Sequence, residues 1–93
     1  MASYKFDGKE LREKGSKIGV LDGNNIRDAH GSKVGAIDGK VIRDSHGSKI
    51  AEFDGKDVRD SHGSKIATMD GIKKDVDGIG GASLVAMWIF FIR

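Results

Sequence analysis

The residues that decide the fold are Lys33-Val34-Gly35-Ala36-Ile37-Asp38-Gly39-Lys40-Val41-Ile42-Arg43-Asp44-Ser45-His46-Gly47-Ser48. They are followed at once by Lys49-Ile50-Ala51-Glu52-Phe53-Asp54-Gly55-Lys56-Asp57-Val58-Arg59-Asp60-Ser61-His62-Gly63-Ser64. The two stretches align without a gap over 16 residues. On either side the triplet Gly-Ser-Lys returns, at Gly15, Gly31, Gly47 and Gly63, and Asp-Gly pairs stand at Asp7-Gly8, Asp22-Gly23, Asp38-Gly39, Asp54-Gly55 and Asp70-Gly71. An apolar-Arg pair recurs between them as Leu11-Arg12, Ile26-Arg27, Ile42-Arg43 and Val58-Arg59. The first unit is one residue short, between Arg12 and Gly15, and the fifth breaks off after Gly71.

A 16-residue unit has room for two strands of about five residues, a two-residue turn and a linking turn of about four. Asp-Gly between apolar runs is a strong hairpin signal, through a type I′ turn with positive φ at both central residues. Gly8, Gly23, Gly39, Gly55 and Gly71 are therefore the expected structural turns, and Ala29-His30-Gly31-Ser32 and its copies the linking turns. A propeller blade needs about 40 residues, so that architecture is excluded, and a narrow β-solenoid is the second choice.

One face of these strands alternates a large and a small residue. Phe6, Leu21, Ile37, Phe53 and Met69 precede each Asp, and Tyr4, Gly19, Gly35, Ala51 and Ala67 stand two positions earlier, on the same face. The small residues leave room for something bulky. Its candidate is the run Ala82–Ile92, apolar on every side, which must be buried in protein or membrane. Exposing its eight large side chains, among them Leu84, Trp88, Phe90 and Phe91, would forfeit on the order of 12–24 kcal/mol. Eleven helical residues span about 16 Å, short of the roughly 30 Å hydrocarbon core of a bilayer. A five-residue strand is about 17 Å long, so a ring of hairpins can wrap this helix. A buried strand, an oligomer interface and partial membrane insertion remain as alternatives.

The expected fold is mainly β: about ten short antiparallel strands in five hairpin repeats, forming a ring or barrel-like array, with the apolar C-terminal helix inside it or capping it. One domain spans residues 1–93, with hairpin repeats over 1–71 and a short helix or linker over 72–78. That helix has Asp70 as N-cap and Gly78 as stop, and the apolar helix follows over 82–93. The opening Tyr4-Lys5-Phe6-Asp7-Gly8, the repeats, and the ending Asp75-Val76-Asp77-Gly78…Trp88-Ile89-Phe90-Phe91-Ile92-Arg93 resemble the five-fold β-flower proteins, short bacterial chains of unknown function. The resemblance implies hairpin petals about an axis and brings no catalytic residues. The chain departs from that pattern at Ile79, where a proline is expected, and in the histidines of three linking turns.

The chemistry on offer follows the repeat. His30, His46 and His62 each stand two residues after Asp28, Asp44 and Asp60, a spacing at which a carboxylate and an imidazole can both reach a metal. Against that stands a polar turn residue copied by duplication, the preferred reading. Arg27, Arg43 and Arg59, each followed by Asp, suggest an ion-pair ladder between neighbouring repeats, or an anion-binding rim. Gly-Ser-Lys lacks the spacing of a phosphate loop. Catalytic sites break symmetry and almost every polar residue here obeys it, so no enzyme and no cofactor are expected. With 32% charged residues, a net charge of +2 and no clustered basic face, nucleic acid is not an expected partner. Cysteine is absent, which rules out disulfides and thiolate zinc sites. The polar start Met1–Glu10 lacks a secretory apolar region, so the expected residence is cytoplasmic. The leading expectation is a non-catalytic structural or binding module with an unidentified protein partner or self-assembly. Its rivals are a lipid-associated module that uses the tail, at a membrane surface, and a metal-binding protein.

Overall fold

The structure is a computed structural model that describes residues 4–78 and 80–93; Ile79, one of the departures from the repeat family, lies outside them. Ten strands form one sheet: β1 Tyr4–Phe6, β2 Glu10–Glu13, β3 Ser16–Asp22, β4 Asn25–Asp28, β5 Lys33–Asp38, β6 Val41–Asp44, β7 Lys49–Phe53, β8 Asp57–Asp60, β9 Lys65–Thr68 and β10 Val76–Gly78. Helix α1, Met69–Asp75, joins β9 to β10, and helix α2, Ala82–Met87, continues into a π-helical turn over Trp88–Ile92. From β1 to β9 every neighbour pair is antiparallel, so four hairpins follow one another as the repeat requires.

The fifth unit is not a hairpin. Thr68, rather than Asp70, caps α1, its hydroxyl accepting from the Gly71 N–H at 3.1 Å. Gly71 therefore sits inside a helix and makes no turn, and Gly78 ends a strand, not a helix. Lys74 explains the change. In the four hairpins the third residue after the turn glycine is Leu11, Ile26, Ile42 or Val58, each fully buried. The fifth unit has Lys74 there, and a returning strand would have to bury a lysine ammonium at heavy cost. The chain instead turns into α1, which buries Ile72, and after Lys74 returns to the core with Val76, again fully buried. Having crossed through a helix, β10 pairs parallel with β1, Tyr4 opposite Val76. The all-antiparallel expectation fails at this one pairing, and the sheet is left unclosed between β9 and β10.

Register is kept by a repeated irregularity. Leu11 pairs with Gly19 while Arg12 pairs with Lys17, which leaves Ile18 as an extra residue. Val34, Ile50 and Ile66 hold the same place in the next three junctions. Such bulges bend a strand and increase its twist, and here each adds a half-buried aliphatic side chain to the core.

The apolar tail occupies the interior. Leu84, Val85, Ala86 and Met87 are all fully buried, and four consecutive helical residues cover every side of the helix. Phe91 and Phe90 lie over the small positions of two different strands. A methyl group placed on Gly19 of β3 would come within 2.5 Å of the Phe91 ring. On Gly35 of β5 it would overlap the Phe90 ring and lie 2.6 Å from the Arg43 carbonyl oxygen. Trp88 lines one cleft together with residues of β9 and α1. The small residues of the inner face make room for this helix, as the pattern of the sequence implies.

Candidate functional site

The turns consume most of the repeated polar chemistry. In the linking turn after β4, one Asp28 carboxylate oxygen accepts the backbone N–H groups of His30 (2.8 Å) and Ser32 (3.0 Å). Asp44 does the same with His46 and Ser48, and Asp60 with His62 and Ser64. These backbone donors hold the carboxyls of Asp44 and Asp60 below the usual aspartate range, with Ser48 and Ser64 contributing most. The carboxylate thus engages the histidine's main chain, while the three imidazoles lie on exposed turn residues. Among the described residues no three His, Asp or Glu side chains converge in a group able to hold a metal ion.

Each arginine works inside its own hairpin and on the turn beyond it. Arg27, Arg43 and Arg59 donate to the carbonyl oxygens of Gly31, Gly47 and Gly63 at 2.9, 3.0 and 3.1 Å. Their ion pairs are Arg27–Asp22 (3.3 Å), Arg43–Asp38 (3.4 Å) and Arg59–Asp57 (3.8 Å). All three pairs lie within one hairpin, so the expected ladder between neighbouring repeats is not formed. Exposed pairs of this kind contribute about 0–1 kcal/mol.

The Asp-Gly turns come in two forms, neither of them the expected type I′. In the second and third hairpins Asp22 pairs with Asn25 and Asp38 with Val41, which makes Gly23-Asn24 and Gly39-Lys40 the central residues. Only the glycine has positive φ, 62° and 63° respectively, as in a type II′ turn. In the first and fourth hairpins the Asp side chain closes the loop instead. Asp7 accepts the N–H groups of Lys9 and Glu10, and Asp54 those of Lys56 and Asp57, which lowers both carboxyl pKa values. The second strand then supplies the acid for the arginine, with Arg12 paired to Glu10 and Arg59 to Asp57. The I′ geometry occurs elsewhere, at Lys14-Gly15, where φ is 52° and 88°. That is where the first unit is one residue short: the three residues enclosed between Asp28 and Ser32 in the next linking turn shrink to two between Glu13 and Ser16.

The sequence of the family follows this geometry. A profile of the 5-fold β-flower proteins matches residues 7–91 of the 93-residue chain. The chain belongs to that family. No curated protein and no solved structure matches it.

The β-flower has two concave regions of note. One cleft, of about 500 Å³, opens beside the unclosed seam and is lined by Ile66, Ala67 and Thr68 of β9, Ile72 and Asp75 of α1, and Trp88. The other, of about 490 Å³, runs along the outer face between the first two hairpins, past Lys9, Lys17, Val20, Arg27 and His30. The seam cleft joins the last strand of the repeat to Ile72, Asp75 and Trp88 from outside it, and was not singled out in the sequence. The missed signal was Lys74 at a core position, which announces that the fifth hairpin is absent.

Proposed function

We propose that this β-flower is a non-catalytic binding module whose ligand is a small apolar molecule held in the seam cleft. The observation that carries the reading is the coincidence of the cleft with the place where the fifth repeat breaks off. Trp88, Ile72, Ile66 and Ala67 supply an apolar lining, while Lys65 and Asp75 place one charge of each sign beside it. Its volume lies within the range of small-molecule pockets, which are mostly apolar with few polar groups. The absence of catalysis is supported by the Asp and Arg of each repeat, which are engaged in turns and ion pairs.

Trp88 is the only tryptophan, so its emission reports on the cleft directly. Titration with anilinonaphthalene sulfonate should quench Trp88 saturably at one equivalent. Ala67→Leu, which fills the cleft, should abolish the quenching while keeping a cooperative melt. Unchanged Trp88 emission, or quenching that survives in that variant, rejects the reading.

A second reading, contact with a lipid surface through the tail, draws on one observation. Trp88, Ile89, Phe90, Phe91 and Ile92 are all only half-buried, and Trp is favoured at the interface of a bilayer. Among the described residues no helix is long and apolar enough to cross a membrane. Cosedimentation of the full chain with liposomes tests this reading, and protein left wholly in the supernatant rejects it.

A further inference from the structure

The outer groove between the first two hairpins differs from its counterparts in one respect that concerns charge. Each hairpin hands a backbone carbonyl from its turn to the next hairpin, Lys9 to Leu21, Asn24 to Ile37, Lys40 to Phe53. The same positions therefore face one another at every junction. At the first junction these positions carry Lys9, Lys17, Val20, Arg27 and His30. At the second they carry Asn24, Lys33, Ala36, Arg43 and His46, and at the third Lys40, Lys49, Glu52, Arg59 and His62.

The third junction is neutralised from within. Lys49 Nζ lies 2.7 Å from Glu52 Oε1, and this lysine holds the Glu52 carboxyl below its ordinary pKa. At the first junction Val20 replaces the glutamate. Among the described residues Lys9 and Lys17 have no carboxylate within ion-pairing distance. The second junction lacks the loop lysine, having Asn24 in its place. Only the first thus joins two unpaired lysines with an arginine and a histidine along one groove of about 490 Å³. Of its two acids, Asp28 is engaged by the backbone N–H groups of its own turn, and Asp22 pairs with Arg27.

We propose that this groove binds a phosphate group, with Lys9 and Lys17 as its charge-bearing contacts and Arg27 and His30 along its wall. Lysine serves a phosphate as a compact point charge, and the volume leaves room for the organic group that carries the phosphate. The same chemistry is offered by a soluble phosphate monoester and by a phosphatidic acid headgroup.

The repeat supplies its own controls. Val20→Glu installs the residue that neutralises the third junction, and Glu52→Val removes it there, each swap exchanging residues the fold already accepts at that position. ¹⁵N-labelled full chain is titrated with inorganic phosphate, and in a parallel arm with vesicles of phosphatidylcholine with and without phosphatidic acid. The wild-type protein should show saturable shifts at Lys9, Lys17 and His30. Val20→Glu should weaken binding on the order of tenfold or more, and Glu52→Val should add a second set of shifts at Lys40, Lys49 and His62. Response to the free ion alone assigns a soluble ligand, and response only to phosphatidic acid vesicles assigns the lipid. Absence of both responses, or affinity unchanged in Val20→Glu, overturns the proposal. It is independent of the seam cleft, because Trp88 emission does not report on this face.

Discussion

The first four hairpins and the fifth unit begin alike and end differently. β1, β3, β5, β7 and β9 all run toward an Asp-Gly pair or its equivalent, and through β7 the chain turns back beside itself. After β9 the same dipeptide opens a helix. Asp-Gly thus permits a hairpin without commanding one. What commands it is the apolar residue three places after the glycine, which the returning strand must bury. Leu11, Ile26, Ile42 and Val58 satisfy this, and Lys74 does not.

The largest test of the contrast removes what both regions pack upon. A chain ending at Gly80 loses Leu84, Val85 and Met87, three fully buried side chains worth roughly 1.5–3 kcal/mol each, together with the aromatic residues beyond. That loss rivals a domain's net stability of about 5–15 kcal/mol, so the truncated chain should show no cooperative melt. A retained melt would mean that the petals hold one another without the axis.

The next test asks how closely the axis is fitted. Gly35→Ala should cost about 2 kcal/mol or more, since the new methyl meets both the Phe90 ring and fixed backbone. Gly19→Ala should cost about half of that, because only the end of the Phe91 side chain has to move. Urea midpoints of the two variants measure the difference, and equal midpoints would deny the asymmetry. Smaller again is the comparison of turn with helix. Gly39→Ala, at φ 63°, should destabilise by about 1 kcal/mol. Gly71→Ala should be neutral within about 0.5 kcal/mol, the helical gain offset by a close approach to the Thr68 hydroxyl. If both behave alike, the fifth unit is a hairpin after all.

The mildest effect concerns acid. Asp7, Asp44, Asp54 and Asp60 have carboxyl pKa values lowered in the folded state, chiefly by backbone N–H donors. A depressed folded pKa means that the unfolded chain binds the proton more tightly. Stability is then fully present above the unfolded value of about 3.9 and is lost as pH falls through the folded values. Unfolding midpoints should be level from neutral pH down to about 5 and should decline below about 4. Midpoints that stay level down to about pH 3 would deny that these carboxyls are held by their turns.

The period of 16, the faces of the strands and the interior helix were all legible, because each rests on burial repeated several times. Gly19 and Gly35 were readable as vacancies before anything was known to fill them. The turn geometry was not legible, because Asp-Gly suits several turns, and the competing hydrogen bonds of Asp7, Glu10, Asp54 and Asp57 choose among them. Nor were the bulges at Ile18, Val34, Ile50 and Ile66, which depend on pairing between units. The arginine pairs were misplaced because i and i+1 residues in a strand face opposite ways, and the true partner stands across the hairpin for Arg27 and Arg43 and two residues back on the same strand for Arg59. Both grooves depend on residues far apart in the chain.

The aromatic tail addresses its petals one by one: Phe91 meets Gly19, Phe90 meets Gly35, and Trp88 shares a cleft with the strand of Ala67. A solenoid lengthens freely, since each coil touches only its neighbours. Here the petals of Gly19 and Gly35 also answer to a shared axle. Duplicating one hairpin in the gene would put a new unit where no aromatic residue is waiting, and would widen the gap that α1 bridges. The tail therefore acts as a gauge of copy number, and a β-flower of this design evolves by changing its petals, not by adding to them.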